Sequence, residues 1–139
     1  MFQHILVPTD FSDDSRRALD IAVSIVSHDS GRISLLHVIQ TIVHATFEEF
    51  EDFYKTLGEK AQSSMDALID QYHGREVVIE PNIVYGERVE QILSIATDHN
   101  VDLIVMNSHR IRPGDPIHGW GTLSYKVGVL SQCPVMLVK

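Results

Sequence analysis

The chain has 139 residues, 44% apolar and 22% charged, with a formal net charge of −8. A domain of this size buries roughly two-thirds of its unfolded surface, so a single unit spanning residues 1–139 needs neither disulfides nor metals to fold. The negative balance argues against nucleic acid or an anionic membrane as partner, because both attract through basic patches, and the apolar runs are far too short to cross a bilayer.

The opening "MFQHILVPTD" lacks the basic segment, apolar run and small-residue cleavage site of a signal peptide, which makes the cytoplasm the expected compartment. Its "HILVP", His4 to Pro8, is the first of five short apolar, β-branched runs that read as strands. Next, "SDDSRRALDIAVSIV" puts Ala18, Leu19, Ala22, Val23 and Val26 on one helical stripe, with Ser12 as N-cap and Asp13 and Asp14 in the electropositive first turn. The second strand is "RISLLHVI", Arg32 to Ile39. A long helical segment from about Phe47 to His73 follows, its stripe running through Phe50, Phe53, Tyr54, Leu57, Ala61, Met65, Leu68, Ile69 and Tyr72. The acidic cluster at its start, Glu48, Glu49, Glu51 and Asp52, reads as a solvated helix beginning.

"EVVIEPNIV", Glu76 to Val84, is more mixed and contains Pro81, which assigns that strand to a sheet edge or a bulge. "GERVEQILSIATDH" then places Val89, Ile92, Leu93 and Ala96 on one face of a third helix, and "VDLIVM", Val101 to Met106, is the fourth strand. In "GTLSYKVGVLSQ" Thr122 reads as the N-cap of a last helix carrying Leu123, Val127 and Leu130. "PVMLVK", Pro134 to Lys139, is the last strand, and the single cysteine before it, Cys133, reads as a buried, inert thiol. Strands alternating with helices in this order give an α/β fold: a parallel sheet with right-handed crossovers.

Open parallel sheets bind ligands beyond the carboxyl ends of their strands. Asp10 emerges at the tip of the first strand, and the fourth runs into a connection of about fifteen residues, Asn107 to Gly121, longer than most such links. Gly121 and Thr122 open a helix, where free N–H groups face an anion and a hydroxyl adds a donor. Asp10 either accepts hydrogen bonds from a base or ribose, or holds a local turn. Ser124 and Thr122 are phosphate ligands or simple cap residues. His37, inside an apolar run, reads as a hydrogen-bonded strand residue. His109 and His118 have no further ligand at metal spacing, so no metal site is expected. There is neither a P-loop motif nor a G-x-G-x-x-G after a strand.

Over essentially its whole length the chain resembles the universal stress protein family, through "ILVPTDFS", "LLHVI", "VDLIVMNSH" and "CPVMLVK". The resemblance implies a five-stranded parallel sheet ordered 3-2-1-4-5 with helices on both faces, of the Rossmann-like adenine-nucleotide alpha-hydrolase type. It further implies an adenine nucleotide, ATP with magnesium or AMP, held through the family motif G-x2-G-x9-G-[S/T]. By position, Pro8, Thr9 and Asp10 would contact the adenine and Val38 would give it a backbone hydrogen bond. Met106 and Asn107 would lie by the ribose, with Ser108 and His109 beside them, and Gly121 and Thr122 would take the phosphates. A homodimer paired through the last strand is also implied.

This sequence departs from that motif. Asn107 and Arg110 stand where the first two glycines belong, and the spacer "IRPGDPIHGW" has ten residues instead of nine. Asn107 tolerates left-handed backbone, the guanidinium of Arg110 is suited to phosphate, and Gly114 or Gly119 restores backbone freedom in a loop folded differently. The reading is therefore an adenine-nucleotide-binding stress-response regulator; the alternative is a dimeric interaction module that binds no nucleotide. With no nucleophile, base and orienter in sight, any ATP hydrolysis would be slow.

Overall fold

A computed structural model of the chain describes residues 1–42, 46–108 and 122–139. Among the described residues there are five strands: β1 (His4–Pro8), β2 (Arg32–Gln40), β3 (Val78–Gly86), β4 (Leu103–Asn107) and β5 (Val135–Val138). They alternate with the helices α1 (Asp13–Ile25), α2 (Glu51–Asp70, entered through a 3-10 turn at Glu48–Phe50), α3 (Arg88–Asp98) and α4 (Leu123–Leu130). All pairings are parallel and the sheet order is β3-β2-β1-β4-β5. The expected order and helix placement are thus observed.

Alternation along the central strands divides the core into two layers. Ile5 and Val7 of β1, Ile33 and Leu35 of β2, and Leu103 and Val105 of β4 pack with the apolar stripe of α1 and with Met65 and Leu68 of α2. Leu6, Leu36, Val38, Ile104 and Met106 point the other way, onto Ile92 and Ala96 of α3 and Val127 of α4. Burial on both faces is why these strands read as apolar runs with little polar alternation. β3 ladders only with β2, so the missing N–H of Pro81, which sits opposite Leu35, falls on an edge strand.

Several expectations need correction. β3 runs two residues further toward its carboxyl end than expected, stopping at Gly86, whose φ of +149° suits glycine. In α2 the stripe is carried by Tyr54, Ala61, Met65 and Leu68, while Phe50 and Phe53 are 37% and 51% exposed. Phe53 precedes Tyr54 by one residue and so points about 100° away around the axis, off the sheet. Thr122 does occupy the N-cap position of α4 with extended backbone, but its side chain caps no helix N–H; its Oγ1 lies 3.4 Å from Ser124 Oγ. Cys133 is half-buried, with its sulfur 3.4 Å from Ser131 Oγ. Ser12 caps α1 as expected, accepting from the Ser15 amide at 3.2 Å.

Candidate functional site

At the carboxyl edge β1 continues as an ordered turn. The Thr9 amide donates to the Leu36 carbonyl at 2.8 Å, extending the ladder one residue past the strand. Thr9 Oγ1, almost completely buried, bonds Ser15 Oγ at 2.9 Å and accepts from the Phe11 amide at 3.0 Å. Phe11 has a φ of +66°, a left-handed conformation that costs a non-glycine residue roughly 1 kcal/mol or more, and these bonds hold it there. Asp10 accepts from the Ser12 amide at 3.0 Å, so the turn-holding role is present, and the carboxylate remains exposed. Partial burial pushes the Asp10 carboxyl up, but hydrogen bonds from the Ser12 hydroxyl and amide and from Ser15 pull harder, leaving its pKa below the ordinary value.

His37 on β2 is a hydrogen-bonded strand residue. Its Nδ1 lies 2.8 Å from the Thr9 carbonyl, which can only accept, so Nδ1 carries the proton, and the ring packs 4.6 Å from that of Phe11.

Beyond β4 the Ser108 amide donates to the Val138 carbonyl at 2.8 Å. Its hydroxyl accepts from Ser124 Oγ at 2.9 Å, tying the end of β4 to the first turn of α4. Both serines are buried.

Because β1 and β4 are neighbours whose following helices leave on opposite faces, their carboxyl ends open a cleft of about 410 Å³. Nine of the thirteen residues singled out in the sequence line it: Pro8, Thr9 and Asp10 from β1 and its turn, Val38 from β2, Met106 and Asn107 from β4 with Ser108 just after it, and Thr122 and Ser124 at α4. The other four, His109, Arg110, Gly119 and Gly121, lie outside the described residues, as does His118.

Sequence reading missed part of the lining. Ile92 of α3 and Leu36 add apolar surface, and Asp14, Arg17, Arg88 and Lys139 add charge. Lys139 was legible in principle: all five strands are parallel, so a basic residue just after the last one must emerge on the same edge as Asp10.

A serine–histidine pair does exist elsewhere. At the opposite edge of the sheet Ser34 donates to His4 Nε2 at 2.7 Å, and His4 Nδ1 donates to the His99 carbonyl at 3.1 Å. Ser34 is fully buried, so this pair satisfies polar atoms in the core and offers no substrate access. Among the described residues no group of three His, Cys, Asp or Glu side chains is placed to hold a metal ion, and no helix is long and apolar enough to cross a membrane.

A sequence profile of the Universal stress protein family matches residues 1–139. The chain belongs to that family. Universal stress protein YxiE of Bacillus subtilis is 29% identical to it over 149 aligned positions, covering 100% of both chains. The structure of protein MJ0577 of Methanocaldococcus jannaschii superposes with a TM-score of 0.82 at 31% identity, covering 100% of this chain and 96% of that one. An Arabidopsis thaliana member of the family, solved with AMP bound, shares the fold with a TM-score of 0.70 at 23% identity, covering 99% and 91%.

Proposed function

We propose that this universal stress protein binds an adenine nucleotide, AMP or magnesium-bound ATP, across the carboxyl ends of β2, β1 and β4, and that the bound state, not catalysis, carries its signal. The carrying observation is the cleft at the β1/β4 switch point, which gathers Asp10, Val38, Met106, Ser108, Thr122 and Ser124 from four separate stretches of sequence. Its chemistry suits the ligand. Leu36, Ile92 and Met106 supply apolar surface for a base, and the ionised Asp10 accepts from an exocyclic amine or a ribose hydroxyl. The first turn of α4 supplies backbone N–H groups and two hydroxyls to phosphate oxygens, with the favourable end of the helix dipole behind them. The AMP in the Arabidopsis relative supports the same ligand class.

Calorimetric titration of ATP, ADP and AMP into the purified protein with magnesium, repeated on Asp10→Ala, tests this reading. Saturable binding that weakens in Asp10→Ala is expected; no heat with any of the three at high micromolar protein would reject it.

A self-association reading has its own support. Tyr125, Val129 and Leu130 on α4 are 46%, 64% and 55% exposed, and Met136 on the edge strand β5 is 37% exposed. An apolar face beside an edge strand is suited to pairing with a second copy. Sedimentation of the wild type against Val129→Glu tests a homodimer through this edge: the wild type should sediment as a dimer and the variant as a monomer, and a monomeric wild type would exclude it.

A further inference from the structure

The loss of two motif glycines at Asn107 and Arg110 leaves open what would neutralise a nucleotide's phosphates. Building on the nucleotide reading above, we propose that Lys139, held in place by Arg17, is the cationic phosphate contact of the cleft, acting beside Ser108 and Ser124. Lys139 Nζ lies 3.4 Å from Ser108 Oγ, and that oxygen is bonded to Ser124 Oγ at 2.9 Å. An ammonium and two hydroxyls therefore form one cluster at the start of α4, on the lining of the cleft.

The position within the cleft fits a phosphate rather than a base. Val38 is on β2 and Lys139 follows β5, and in the order β2-β1-β4-β5 these are three strand spacings, or about 14 Å, apart. A base near Val38 places its phosphates toward the Lys139 end.

Arg17, from the second turn of α1, donates to the Lys139 backbone carbonyl at 2.7 Å, pinning that residue over the cleft. It is a positioning residue. The distribution of charge points the same way: the chain has 11 basic residues against 19 acidic, yet Arg17, Arg88 and Lys139 all face this one cleft. Asp10 and Asp14 share the lining, so no general positive field draws an anion in and the attraction must come from direct contact. An exposed ammonium on a flexible stem can reach an oxygen that a glycine backbone would otherwise approach, and it suits a phosphate as a point charge.

The test separates this inference from the reading beneath it. Adenosine, AMP and ATP are titrated calorimetrically into the wild type, Lys139→Met, Lys139→Arg and Arg17→Met, with thermal melting of each variant as the control for folding. Lys139→Met should weaken AMP and ATP by about 10- to 100-fold, the loss expected of one charge-assisted hydrogen bond, while adenosine binds as before. Lys139→Arg should restore most of the loss, and Arg17→Met should weaken ATP but not adenosine. If Lys139→Met binds ATP like the wild type, or loses adenosine and ATP equally, the role of Lys139 is overturned while nucleotide binding stands. If the wild type binds none of the three ligands, the nucleotide reading fails and this inference fails with it.

Discussion

Replacing Thr9 with valine keeps the shape of a buried side chain and deletes one oxygen, which makes it a clean probe of the turn that presents Asp10. That oxygen accepts from the Phe11 amide at 3.0 Å and bonds Ser15 Oγ at 2.9 Å. Ser15 is not orphaned, because its hydroxyl also donates to the Ser12 carbonyl at 2.9 Å. The uncompensated loss is the Phe11 amide, in a residue already held at a φ of +66°. An unsatisfied buried amide costs about 1–3 kcal/mol, and half-burial of Phe11 places this case near 1–2 kcal/mol. For a chain of this length that is a fall in Tm of roughly 3–8 °C. Differential scanning calorimetry without ligand measures it, with Thr9→Ser as the control that keeps the hydroxyl and should melt close to wild type. A Thr9→Val protein melting within about a degree of wild type would show that this bond does not hold the turn.

Three further outcomes follow from the core and its ionisable groups. Leu6→Ala, at a fully buried position of the central strand, should destabilise the protein by about 2–5 kcal/mol in urea denaturation without changing the secondary structure seen by circular dichroism. His4 has a pKa below its ordinary 6.5, lowered mainly by burial with help from the Arg32 and His99 charges and opposed by its bond to the His99 carbonyl and by Glu80. The folded state therefore prefers the neutral ring, so its contribution is intact above the unfolded pKa of 6.5 and is lost as pH falls below it; His4→Gln should flatten that part of the stability–pH curve. Tyr72, pushed up to about 12 by burial and by donating its hydroxyl to the Asp20 carboxylate, should ionise earlier in Asp20→Asn but still above 10, as read by ultraviolet titration.

The parallel sheet was legible because burial on both faces leaves largely apolar runs in β1, β2 and β4, and all five positions of the stripe expected of the first helix are buried. Less legible were the features that depend on where an element ends relative to the sheet. Phe50, just before α2, and Phe53 in its first turn look continuous with the buried stripe in sequence, yet both are exposed, Phe53 because it points about 100° away from the buried Tyr54. Within the cleft, Asp10 and Ser124 could be named because one sits at the carboxyl end of a strand and the other at the start of a helix, whereas Val38 and Met106 came through the family resemblance. Arg17, Arg88 and Ile92 could not, because they reach the cleft sideways from helix surfaces and no local pattern marks them. Lys139 sits between these cases: its edge follows from topology, but its contact with Ser108 depends on a distance that only coordinates supply.

A crystal structure of the protein grown with saturating AMP bears most directly on the account. Density for adenine between Asp10 and Val38, with the phosphate against Ser124 at the start of α4, is the predicted result. AMP seated anywhere else, or a cleft that stays empty in crystals where it is free of lattice neighbours, would contradict it.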